Sequence, residues 1–123
     1  MRIQILYILC LSLFTLSINA QNKSLPSVEV KTLTGKKINI QSIENDGNPI
    51  IINFWATWCK PCKQELNTIA EMYDNWQDAT GVKIIAISVD DSRTSSKVRP
   101  YVNSAHWDYE IYLDPNKELA RTL

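Results

Sequence analysis

The sequence predicts an α/β domain in which two buried parallel strands are joined across a helix, and three observations carry that reading. Ile50-Ile51-Ile52-Asn53-Phe54-Trp55 is a continuous apolar run bounded by Pro49, the pattern of a strand covered on both faces. From Cys59 to about Trp76, residues Cys62, Leu66, Ile69, Ala70, Tyr73 and Trp76 fall in one arc roughly 120° wide at 100° per residue. Val82 to Val89 is a second apolar run, and strand–helix–strand of this length closes as a parallel, right-handed crossover.

The remaining elements follow in order. Val28-Glu29-Val30-Lys31-Thr32-Leu33 alternates apolar and polar, Thr34-Gly35-Lys36-Lys37 turns, and Ile38-Asn39-Ile40 alternates again, which reads as an N-terminal β-hairpin with one covered face. Glu44-Asn45-Asp46-Gly47-Asn48-Pro49 is a loop. In the long helix, Lys63, Gln64, Asn67, Thr68, Glu71, Asp74 and Asn75 form the polar side. Pro61 is tolerated because the first turn has no helical partner for the missing N–H, and Gly81 marks the exit. Polar Asp90 to Ser96 leads to a helix near Lys97 to Ser104 and a short strand at Glu110 to Leu113. A last helix is expected to start at Asp114-Pro115, with Asp114 capping and Pro115 in the first helical position.

Residues 1–20 read as a secretory signal peptide: Arg2 at the start, an almost wholly apolar stretch from Ile3 to Ile18, and Ala20 before a cleavage point at Gln21. The apolar part is short for a membrane span, so no stable membrane insertion is expected after cleavage. Cys10 leaves with this segment. Removing twenty of 123 residues leaves 103, divided into a polar linker over 21–27 and a single domain over 28–123. Arg2 is the one charged side chain removed, so twelve Lys/Arg face thirteen Asp/Glu and the net charge is about −1. Without a basic cluster, nucleic acid is not an expected partner.

The chemistry-bearing feature is Cys59-Lys60-Pro61-Cys62 directly after the first buried strand. Positions i and i+3 at a helix start lie roughly 5–6 Å apart, within disulfide range. The helix start also favours thiolate over thiol, and thiolate is the nucleophile. Zinc knuckles and haem attachment use the same cysteine spacing. Haem attachment needs a histidine after the second cysteine, where this chain has Lys63, and a zinc site needs two further ligands, for which His106 is the lone histidine. A strand leading into the pair, with a proline between the sulfurs, is the redox context.

Asn53 to Leu66 resembles the active-site block of thioredoxin-fold proteins, and more narrowly the secreted thiol–disulfide oxidoreductases of the TlpA/ResA type. Ile87-Ser88-Val89-Asp90-Asp91 and Leu113-Asp114-Pro115-Asn116 are similar to later pieces of that subfamily, and the likeness runs from about Val28 to Leu123. The resemblance implies thiol–disulfide exchange outside the cytoplasm, in a bacterial periplasm, with no metal and no organic cofactor. Cys59 would attack and Cys62 resolve, in the reducing direction. Lys60 and Pro61 would tune the redox poise, and Trp58 would shield the disulfide and touch partners. Glu65, near the border of the apolar arc, would be a partly buried acid linked to the cysteine chemistry. Partners would be protein thiols or disulfides and a thiol electron donor. Phe54 and Trp55 are scaffold in this reading, and His106, in a loop, is neither ligand nor catalyst.

The same family closes its site with a cis-proline loop, two further strands and a last helix, which have no counterpart before Leu123. The expectation is therefore a thioredoxin-like fold that lacks those parts, with an incomplete partner groove and an unpaired edge at Ile50 to Trp55. Such a chain is expected to be poorly stable and weakly active by itself. Two other readings stay open on the residues: a copper-handling module using Cys59, Cys62 and His106, and an inactive piece of a longer enzyme.

Overall fold

The computed structural model describes residues 24–123; the expected signal peptide with Cys10, and positions 21–23 of the linker, lie outside the described residues. Strands β1 (Glu29–Thr32) and β2 (Lys37–Asn39) form the expected antiparallel hairpin, with Val30 opposite Ile38. Strand β3 (Ile50–Trp55), helix α1 (Lys60–Thr80) and strand β4 (Lys83–Ser88) form the crossover, and β3 pairs in parallel with β4 from Ile50/Lys83 to Trp55/Ser88. Helix α2 (Val98–Ala105), strand β5 (Glu110–Leu113) and the short helix α3 (Glu118–Thr122) follow.

The five strands form one sheet in the order β2-β1-β5-β4-β3, so β5 lies between the hairpin and the crossover, parallel to β4 and antiparallel to β1. This is the thioredoxin-like α/β architecture that the sequence predicts. β4 is central enough to be buried on both faces, and its alternating side chains serve two cores. Ile84 and Ala86 join Leu66 and Tyr73 of α1 and Val98 and Val102 of α2. Ile85 and Ile87 face the other way, against Val30, Ile40 and Leu119 of α3. Each fully buried isoleucine contributes about 1.5–3 kcal/mol of transfer free energy, so β4 anchors both layers.

Two local expectations are corrected. Helix α1 continues four residues past Trp76, because no glycine or proline interrupts it before Gly81, which ends it in the left-handed conformation (φ 68°). Trp76 is exposed rather than core. The Tyr73 hydroxyl already accepts the backbone N–H of Ile84 at the start of β4 (3.1 Å), so the last turns of α1 run past the end of the sheet. Pro115 is not the first helical residue either. The Asp114 N–H donates to the Ser88 carbonyl (2.8 Å) and extends the β5 pairing, so a turn closed by Lys117 N–H on the Asp114 carbonyl (2.9 Å) must precede α3. The capping role itself is present: the buried Asp114 carboxylate accepts the N–H groups of Glu118 (2.9 Å) and Ala120 (3.0 Å).

Strand β3 is a sheet edge among the described residues, and it carries no charged side chain while Ile51 is 45 % exposed. An uncharged apolar edge is a template for pairing with another chain. Replacing Ile51 with lysine should lower concentration-dependent self-association, read by light scattering. Substituting Gly81 by alanine should cost about 1–2 kcal/mol in denaturant unfolding, since the residue needs a positive φ and a Cβ there would sit 2.8 Å from the Asn48 side chain.

Candidate active site

The site is built where the crossover turns from strand to helix. Trp55 is the last residue of β3 and is buried, packed edge-on to Trp107 with ring centroids 4.9 Å apart and also against Tyr101. Its carbonyl accepts the Val89 N–H (2.8 Å), which keeps the exits of β3 and β4 together. The chain then turns through Ala56-Thr57-Trp58, closed by the Cys59 N–H on the Ala56 carbonyl (3.0 Å). Cys59 is the N-cap of α1 with extended backbone (φ −89°), and its carbonyl accepts the Lys63 N–H (3.2 Å).

Cys59 and Cys62 are joined as a disulfide with Cα atoms 5.4 Å apart, inside the range that helical spacing predicts. Both are partly exposed. Pro61 stands in the first turn of α1, where the helix has no bond to lose. Cys62 reaches back onto the core formed by Leu66 and the sheet, while Cys59 stands at the open end of the helix. Without an acidic residue in the first turn of α1, the partial positive charge of the helix start faces Cys59 unopposed from its own helix.

The other expected site residues are distributed unevenly. Trp58 is 64 % exposed beside the disulfide, and Lys60 and Pro61 are also exposed, so residues 58–62 form one surface. Lys63, assigned by periodicity to the polar side, is partly covered, with Nζ 4.9 Å from the centre of the Tyr101 ring. Glu65 corrects the expectation of a partly buried acid: it is exposed, because the buried stripe of α1 centres on Leu66 and Tyr73 and turns position 65 toward solvent. His106 is exposed, in the left-handed conformation (φ 52°) as the C-cap of α2, and opens the expected loop that leads to β5. Among the described residues, no group of three or more His, Cys, Asp or Glu side chains converges as a metal site. No described helix is long and apolar enough to cross a membrane.

Sequence reasoning passed over Asp90, which it placed in a polar connection. The side chain is fully buried at the exit of β4. Its carboxylate accepts the Thr57 N–H (2.8 Å), the Thr57 hydroxyl (2.6 Å) and the Ser88 hydroxyl (2.9 Å). Burial pushes the carboxyl pKa up, but the hydrogen bonds from Thr57 and Ser88 outweigh it and hold the group below the ordinary range, so it is ionised at neutral pH. A charged residue directly after the apolar run from Val82 to Val89 was the available signal.

Residues 22–123 match the model of the AhpC/TSA family. Among curated proteins, the chain is 33 % identical over 100 residues to the thiol-disulfide oxidoreductase ResA of Bacillus anthracis, covering 81 % of this chain and 55 % of that protein. It is 31 % identical to the sporulation thiol-disulfide oxidoreductase A of Bacillus subtilis, covering 98 % of this chain and 74 % of the relative. The chain thus spans about half the length of the ResA proteins that it matches. Its structure is similar to that of a thioredoxin-like protein of Porphyromonas gingivalis (45 % identity, TM-score 0.68, covering 79 % of this chain and 63 % of that one). The crystal structure of StoA from Bacillus subtilis is also similar (29 % identity, TM-score 0.58, covering 79 % and 73 %). A buried crossover that delivers a Cys-x-x-Cys disulfide to a helix start, together with these matches, makes this chain a member of the AhpC/TSA family and a thioredoxin-like homologue of the ResA and StoA thiol-disulfide oxidoreductases.

Proposed function

We propose that this chain carries out thiol–disulfide exchange through Cys59 and Cys62, as a reductant of protein disulfides outside the cytoplasm. The observation that carries the reading is the position of Cys59, at the N-cap of α1 and one helical turn from Cys62 on an open surface. In the reducing direction the pair begins as dithiol. The Cys59 thiolate attacks one sulfur of a client disulfide, a mixed disulfide forms, and the displaced client sulfur takes up a proton. The Cys62 thiolate then attacks Cys59 Sγ and releases the second client thiol. Two electrons have moved to the client, and the pair is left as the disulfide seen here. A thiol donor restores the dithiol by the same steps in reverse.

Trp58, Lys60 and Pro61 frame the client's approach in this reading. The exposed indole offers an apolar face, and Lys60 places positive charge beside the attacking sulfur. Glu65, one turn beyond Cys62 and open to solvent, would pass protons between water and the pair. The apolar, Arg-led start of the sequence supports export, with a periplasmic location as its consequence. The naming of the Bacillus relatives as thiol-disulfide oxidoreductases supports the reaction class.

Insulin disulfide reduction with dithiothreitol as donor tests the assignment. Replacing Cys59 with serine should abolish activity, whereas Cys62→Ser should stall it at a covalent mixed disulfide visible by mass. A Cys59→Ser protein as active as the wild type would refute the exchange mechanism. For Glu65, thiol titration of the reduced protein should show a change in cysteine pKa in the Glu65→Gln variant. Superimposable titrations would leave Glu65 as a surface residue.

A further inference from the structure

Asp90 touches the segment that carries Cys59, and the exchange chemistry leaves it unused. It is fully buried, yet among the described residues no Lys, Arg or His lies within ion-pair distance of it. A buried anion without a cation is costly, and it persists only where hydrogen bonds replace its water. Here the donors converge on one neighbour. One carboxylate oxygen holds the Thr57 hydroxyl and the other holds the Thr57 N–H, while the Ser88 hydroxyl completes the set and itself receives the Asp90 N–H (3.1 Å). Thr57 lies two residues before Cys59, in the turn that the Cys59 N–H closes on Ala56.

We propose that Asp90 is a positioning residue which, acting through Thr57, biases the Cys59–Cys62 pair toward its disulfide form. The inference rests on the exchange reading above and adds to it what sets the redox equilibrium. Two effects act in the same direction. The two-point grip on Thr57 fixes the turn and with it Cys59, which keeps that sulfur at high effective concentration toward Cys62 on the rigid helix. The fixed negative charge also opposes a thiolate at Cys59, and a thiolate is carried by the reduced pair but not by the disulfide. Lys60 and Lys63 in the first turns of α1 act the opposite way on that thiolate, whereas Asp91 is engaged by Arg93 (2.6 Å). The grip makes Asp90 a brake on reduction and so makes the reduced pair a stronger donor of electrons.

The test equilibrates the full chain and its variants with mixtures of reduced and oxidised glutathione, with free thiols counted by alkylation. The reaction is balanced: the disulfide and two glutathione molecules give the dithiol and one glutathione disulfide. Asp90→Asn should shift the equilibrium constant about tenfold toward the dithiol, equivalent to about 30 mV. Thr57→Val keeps the charge and loses the hydroxyl link, and should shift it the same way by about threefold, or roughly 14 mV. Thr57→Ser restores the hydroxyl and should recover the wild-type constant. Should Asp90→Asn fail to fold by near-ultraviolet circular dichroism, the two Thr57 variants decide. Constants unchanged from wild type, or shifted toward the disulfide, would overturn the proposal, and a shift confined to Asp90→Asn would overturn transmission through Thr57. A wild-type pair that never interconverts would count against the exchange reading itself, which separates the two failures.

Discussion

Parallel pairing of β3 with β4, in register from Ile50/Lys83 to Trp55/Ser88, is the constraint on which the rest of the molecule depends. It brings two strand exits side by side at one end of the sheet. One exit continues into Thr57 and the cysteine pair, and the other into Asp90. The hydrogen bond from Val89 N–H to the Trp55 carbonyl carries the ladder one step further, so the turn before α1 leaves from a fixed point. With the register set, Asp90 reaches both polar groups of Thr57, and α1 starts three residues later at Lys60.

The cores on the two faces divide their work. On the face with α1 and α2, aromatic rings dominate: Trp55, Tyr73, Tyr101, Trp107 and Tyr109 pack in tilted and edge-on pairs. Two of them also bond to α1, through the Tyr109 hydroxyl on the Leu66 carbonyl (2.6 Å) and the Trp107 indole N–H on Asn67 (2.8 Å). These contacts hold the helix that presents the sulfurs. The buried residues of the opposite face are aliphatic, Ile85, Ile87, Val30, Ile40 and Leu119, with Phe54 and Tyr112 packed against them.

Much of this was legible in the residues, for identifiable reasons. Both crossover strands announced themselves because burial on two faces demands continuous β-branched runs, and the helix between them because its apolar residues repeat at helical spacing. The cysteine pair was legible because its chemistry depends on a local spacing of three. What periodicity could not supply was anything decided by elements distant in sequence. The place of β5 between β1 and β4, the exposure of Trp76 beyond the end of the sheet, and the delay of α3 behind an extra turn all depend on which strand lies alongside which. Glu65 and Asp90 exchange their expected burial: the buried stripe of its own helix turns one toward solvent, and the other is roofed by a turn 33 residues earlier.

The ring closed by Cys59 and Cys62 spans only four residues, and it sits at a helix end rather than between distant parts of the fold. Cross-linking so short a segment restrains the unfolded chain by only roughly 2 kcal/mol on the loop-entropy model. The link meets the scaffold through Cys62, which packs against the core on the face of α1 and α2. By thermodynamic reciprocity, a weak effect of the bond on unfolding means a correspondingly weak effect of unfolding on the bond's energetics. The scaffold and the oxidation state of the pair are thus coupled by a small, bounded amount, and any bias that the fold exerts on the sulfurs, the grip on Thr57 included, falls within it.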